Sequence, residues 1–82
     1  MKLPRDIRGA ELAELLQQFG YQITRQTGSH LRLTATTKAD PHHITIPAHK
    51  SVRVGTLSSI LKEVAQYMEL DYRKLLEKLF GE

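Results

Sequence analysis

Thr27-Gly28-Ser29-His30-Leu31-Arg32-Leu33-Thr34-Ala35-Thr36 is the stretch from which the fold can be read. From His30 onward apolar and polar residues alternate, with Leu31, Leu33 and Ala35 on one side and His30, Arg32, Thr34 and Thr36 on the other. A period of two marks a β-strand with one apolar and one wet face. Thr27-Gly28-Ser29 supplies the turn before it, and Tyr21-Gln22-Ile23-Thr24 shows the same alternation in β-forming residues. On the other side Lys38-Ala39-Asp40-Pro41 reads as a loop, and His43-Ile44-Thr45-Ile46 as a third short strand stopped by Pro47. The expectation is a three-stranded antiparallel sheet.

Outside this block the apolar period becomes helical. Between Gly9 and Phe19 the residues Leu12, Leu15, Leu16 and Phe19 recur at i, i+3, i+4 and i+7, and Gly20 ends the helix. Leu57, Ile60, Leu61, Val64 and Met68 predict a second helix from Thr56 to Met68, with Gly55 or Thr56 near its N-cap. Asp71 is placed to cap a shorter third helix with Tyr72, Leu75, Leu76 and Leu79 on one stripe, ended by Gly81. The order α-β-β-β-α-α predicts an α+β fold with the first two helices on one face of the sheet and the other face open. The last helix either closes the core or carries a partner contact.

Length and composition narrow the chemistry. The 82 residues read as one domain over 1–82, with 69–82 as its short C-terminal helix, and a chain of this size buries only roughly 60% of its unfolded surface. The absence of cysteine removes disulfide frameworks, thiolate metal sites and cysteine nucleophiles together. No apolar run approaches the roughly 20 residues of a membrane span, and Met1-Lys2-Leu3-Pro4-Arg5-Asp6 lacks the apolar segment of a signal peptide. These features predict a cytoplasmic protein with no membrane association.

The net charge is +3, and it is concentrated. Residues 1–20 are neutral, with Lys2, Arg5 and Arg8 against Asp6, Glu11 and Glu14, and residues 56–82 carry one excess negative charge. Residues 21–55 hold Arg25, Arg32, Lys38, Lys50 and Arg53 against Asp40 alone, together with all four histidines, His30, His42, His43 and His49. A polyanion is the natural partner of such a segment.

Gly28-Ser29-His30 at the entry to the basic strand is the most informative motif. Imidazole can exchange a proton with a hydroxyl or a leaving oxygen, and Arg25 and Arg32 stand near enough in sequence to hold a phosphate. RNA cleavage needs those functions and little else, because the ribose 2′-hydroxyl is an internal nucleophile. Other chemistries fit less well. Ser29 and His30 are strand neighbours that point to opposite faces, which argues against a hydrolase pair. His42, His43 and His49 lack the carboxylates and helical spacing of a metal site. Thr56 opens a helix whose free amides can receive a phosphate, a property of every helix start. The helix pair around Glu69-Leu70 resembles a helix-turn-helix, but Arg73, Lys74 and Lys78 are offset by Asp71 and Glu77.

Three blocks resemble the HicA toxins of prokaryotic toxin–antitoxin modules. They are Leu15-Leu16 with Phe19-Gly20-Tyr21, then Arg25-Gln26-Thr27-Gly28-Ser29-His30, then Ile46-Pro47-Ala48-His49 followed by Gly55-Thr56-Leu57 and Ile60-Leu61-Lys62. The resemblance implies a double-stranded-RNA-binding-like fold, an mRNA endonuclease that arrests translation, and a HicB-type antitoxin that masks its active face. It implies His30 as catalytic residue, with Gly28 and Ser29 completing the motif; the cleavage scheme above calls for no metal or other cofactor. It also implies a free toxin that is monomeric and forms a hetero-oligomer with its antitoxin. The remaining candidate RNA contacts, Arg25, Arg32, Lys38, His49, Lys50 and Arg53, come from the strand pattern and the charge. A non-catalytic RNA-binding module of the same fold is the alternative, since that fold reads A-form RNA through phosphates and 2′-hydroxyls.

Overall fold

The computed structural model describes residues 3–81; Met1, Lys2 and Glu82, the ends of the single-domain reading, lie outside the described residues. The elements are α1 (Gly9–Leu16), a 3₁₀ turn (Gln17–Phe19), β1 (Gln22–Thr27), β2 (His30–Ala35), β3 (His42–Pro47), α2 (Val54–Met68) and α3 (Tyr72–Phe80). The strands form one antiparallel sheet in the order β1-β2-β3. The fold is the expected α+β, double-stranded-RNA-binding-like arrangement with an added C-terminal helix.

The alternation in β2 decides which side is covered. Leu31, Leu33 and Ala35 are buried and join Ile44 and Ile46 of β3 in one core with Leu12, Leu16, Leu57, Leu61 and Val64 from the helices. Ala13 and Ala65 are buried in the same core, and the molecule is only 18 Å across its shortest dimension, one sheet plus one helical layer. The apolar stripe of α3, Leu75, Leu76 and Leu79, is buried in that same core. The third helix therefore closes the core. Each fully buried leucine contributes on the order of 1.5–3 kcal/mol, so this thin core depends on all three helices.

Several boundaries differ from the periodicity reading, for physical reasons. α1 tightens into a 3₁₀ turn at Gln17 before Gly20, at φ 93°, stops it. Glu11 accepts the Arg8 backbone N–H at 3.0 Å and so satisfies a donor just outside the helix start. α2 starts at Val54 with Arg53 as N-cap, not Gly55 or Thr56, because the Leu57 N–H already reaches the Arg53 carbonyl at 2.7 Å. Asp71 occupies the N-cap of α3 as expected but makes no side-chain capping hydrogen bond.

Tyr21 is fully buried at the junction of α1 and β1 rather than forming the first strand residue. Its hydroxyl lies 2.7 Å from His42 Nδ1, whose Nε2 faces Glu63 Oε1 at 3.4 Å; the Nε2–H tautomer satisfies both contacts. The His42 ring stacks on Tyr67 with centroids 5.0 Å apart, and the Tyr67 hydroxyl donates to the Asp40 carbonyl at 2.6 Å. This cluster anchors the β2–β3 loop to α2.

Candidate nucleic-acid interface

The face of the sheet that no helix covers is built from alternate residues of three strands. Cross-strand pairing sets them in rows: Thr27, His30 and Pro47 in the first, Arg25, Arg32 and Thr45 in the second, and Gln22, Thr34 and His43 in the third. Of these, all but Thr34 and Pro47 are exposed. The three strands contain no aspartate or glutamate, so the face has cationic and hydroxyl groups with no opposing carboxylate of its own.

Arg25 is on this face because of a bulge. The register passes from Ile23 opposite Leu33 to Arg25 opposite Arg32, leaving Thr24 as the extra residue. Without the bulge Arg25 would stand opposite Leu31, on the covered side; with it, Arg25 joins Arg32 on the open side. Thr24, at the bulge, keeps its hydroxyl on the open face, 2.8 Å from that of Thr34.

His30 is the first residue of β2, directly after the two-residue turn Gly28-Ser29. Gly28 has φ 55°, the positive value that the first position of a type II′ hairpin turn takes. His30 is exposed, and among the described residues no hydrogen bond holds its ring. The Ser29 carbonyl accepts the Ala48 N–H at 2.6 Å, which ties the basic loop after β3 to this turn.

That loop is strapped from its other side too. Ala10 N–H reaches the Ala48 carbonyl and Gly9 N–H the Lys50 carbonyl, each at 3.3 Å, Val52 N–H donates to the Ile7 carbonyl at 2.8 Å, and Arg8 bridges to Ser51. A Cβ on Gly9 would sit 1.5 Å from the Pro47 carbonyl oxygen, so only glycine allows this approach. His49 and Lys50 are thereby presented, exposed, at the end of the sheet where His30 lies, and Arg53 follows at the start of α2.

Not every candidate gathers there. Lys38 lies in the loop beyond the opposite end of β2, where its Nζ is 3.5 Å from Glu69 Oε1 and its backbone N–H donates to the Tyr67 hydroxyl. The four histidines also separate: His30 and His43 lie on the open face, His42 is turned to the helices, and His49 is in the loop. Among the described residues no group of three histidines or carboxylates could hold a metal ion, and no helix is long and apolar enough to cross a membrane. His43 and Thr45 were legible as open-face residues from their alternation with Ile44 and Ile46. Thr24 was legible in the same way from its alternation with Ile23, whereas the bulge beside it carried no signal.

A family model described as HicA toxin of bacterial toxin-antitoxin matches residues 9–65, from the first residue of α1 into the last turn of α2. Neither a curated protein nor a solved structure matches the chain.

Proposed function

The chain belongs to the HicA toxins of bacterial toxin–antitoxin systems, and from that premise we propose that it is an endoribonuclease, an mRNA interferase that uses His30 as general acid or base and is neutralised by a HicB-type antitoxin. The observation that carries this reading is that His30 shares the uncovered face with Arg25 and Arg32, one ladder row away, with no carboxylate on the strands. Two guanidiniums can hold a phosphodiester and offset the charge that develops on phosphorus during in-line attack by the neighbouring 2′-hydroxyl.

The substrate supplies its own nucleophile. The bond from the 2′-oxygen to phosphorus forms as the bond to the 5′-oxygen breaks, the 2′-hydroxyl loses a proton and the departing oxygen gains one. His30 performs one of these transfers. His49, on the loop tied beside the turn, is the candidate for the other. Gly28 and Ser29 set the position of His30, Lys50 and Arg53 extend the cationic surface from the His30 end of the sheet over the loop to α2, and Lys38, at the far end of the sheet, is a peripheral contact. The scheme needs no metal or other cofactor, and its substrate places the toxin in the cytoplasm. The antitoxin acts by covering this face of a monomeric toxin in a hetero-oligomer.

The test is His30→Ala, which should retain the fold by circular dichroism while losing on the order of 10²–10⁴ in cleavage rate and losing growth arrest on expression. Undiminished cleavage by the folded variant contradicts the assignment. The free His30 ring favours one second reading, a binding module that holds structured RNA without cutting it. In that case the parent protein retards RNA and leaves it intact at every enzyme concentration.

A further inference from the structure

We infer that His43 is a second phosphate contact on the open face, oriented by Thr34 and Thr24 to receive the RNA strand beyond the scissile bond; this rests on the RNA reading above. Thr34 and His43 of the third row join Thr24 at the bulge in a continuous hydrogen-bonded chain across all three strands. Thr34 Oγ1 lies 2.9 Å from His43 Nδ1 and 2.8 Å from Thr24 Oγ1, and Thr24 Oγ1 lies 3.4 Å from the Arg32 carbonyl oxygen. His30 has nothing of this kind, and His42 has both ring nitrogens engaged internally. Among the described residues, His43 alone has one nitrogen fixed and the other, Nε2, free at an exposed position.

The chain suits a ring that meets an anion, because it can be satisfied in two directions. When the neutral ring accepts at Nδ1, Thr34 donates to it and Thr24 donates to Thr34, leaving Nε2–H to point outward. When both ring nitrogens carry a proton, His43 Nδ1–H donates to Thr34, Thr34 to Thr24, and Thr24 to the Arg32 carbonyl, which has no proton to give. Every donor then has an acceptor, and Nε2–H is still directed away from the protein. Either way the outward nitrogen is a donor, as a phosphate oxygen requires.

The spacing separates this role from catalysis. His43 pairs with Thr34, four residues along β2 from His30, a distance of about 13 Å at the usual rise of a strand. Two groups so far apart do not serve the 2′- and 5′-oxygens of one phosphodiester. The arginine row lies halfway between, at about 6.6 Å from each, so the three rows present donors at intervals comparable with successive nucleotides of an extended strand. His43 thus extends the contact from the reacting phosphate toward the end of the sheet that carries the β2–β3 loop.

The experiment uses the full chain with a fluorescent single-stranded RNA of about a dozen nucleotides, measuring affinity in a His30→Ala background and cleavage in the otherwise native protein. Adding His43→Ala should weaken binding about tenfold, as expected for loss of one charge-assisted phosphate contact, and should raise KM with kcat changed less than threefold. Thr34→Val should give a smaller loss and Thr34→Ser should restore affinity, because only the hydroxyl orients the ring. An unchanged affinity on His43→Ala, while the parent binds RNA and Arg32→Ala weakens it, overturns this inference and leaves the nuclease reading standing. A kcat collapse with KM unchanged also overturns it, by placing His43 in the chemical step. Failure of the parent to bind or cut any RNA removes both readings.

Discussion

Arg25 stands directly opposite Arg32 across the β1–β2 ladder, on the face that no helix covers. Two like charges at a cross-strand pair cost stability, and a bulge had to form at Thr24 to bring them together. An arrangement that is unfavourable in the free protein and complementary to a polyanion points to the ligand that neutralises it.

Replacing either arginine should separate folding from binding. Arg25→Ala or Arg32→Ala is expected to raise stability by a few tenths of a kcal/mol, or about 0.5 at most, by relieving the repulsion. Each should also lower RNA affinity and reduce the slope of log K against log salt by about 0.7–1. Urea denaturation and salt-titrated binding check the two halves.

The glycines at the site should fail in different ways. Gly28 has open space around it but φ 55°, so Gly28→Ala should cost about 1–2 kcal/mol of conformational strain. Gly9→Ala forces a Cβ against the Pro47 carbonyl and must push α1 off the loop bearing His49 and Lys50. It should cost more, about 3 kcal/mol, and weaken RNA binding through that loop. Thermal denaturation of the two variants gives the order.

Tyr21 is buried on the covered side of the sheet, and its removal should affect stability rather than chemistry. Tyr21→Phe leaves His42 Nδ1 without its partner, at a cost of about 1 kcal/mol, with cleavage unchanged. Burial, reinforced by the nearby Tyr67 and Glu63, raises the Tyr21 hydroxyl well above the ordinary tyrosine value. An unfolded tyrosine ionises near pH 10, so above that pH the unfolded state releases this proton while the folded state keeps it. The contribution is complete below about pH 10, and stability should then fall with rising pH by up to about 1.4 kcal/mol per unit. Stability of the parent and of Tyr21→Phe between pH 9 and 11 is the measurement, and the variant should show the shallower decline.

The parts that were legible in the sequence are those governed by a regular period. Alternation from His30 to Thr36 set the buried side of β2, and the spacing of Leu12, Leu15 and Leu16 or Leu57, Ile60 and Leu61 set the helix faces, because each residue there has one dominant environment. The bulge was not legible: Thr24 and Arg25 are both polar, and either could lie on the open face of an edge strand without exposing an apolar group. The Tyr21–His42 hydrogen bond joins residues 21 positions apart, and no local pattern signals it. Lys38 and Lys50 look alike as basic loop residues, and only the strand connections send them to opposite ends of the sheet.

That separation makes Lys38 a negative control. Its ion pair with Glu69 is exposed on both sides, and such pairs contribute less than about 1 kcal/mol. Lys38→Ala should therefore change stability little and reduce RNA affinity less than Lys50→Ala does. A larger effect from Lys38 would extend the RNA path over the β2–β3 loop.

The most direct measurement is cleavage of a defined mRNA by purified parent and His30→Ala protein at equal concentration, with folding of both verified and with product ends mapped. The expected result is discrete cutting by the parent, suppressed when a cognate antitoxin is added, and loss of at least about a hundredfold in rate for the variant. Equal cutting by the two proteins would contradict the account, because it would leave the Gly28-Ser29-His30 turn without a part in the chemistry.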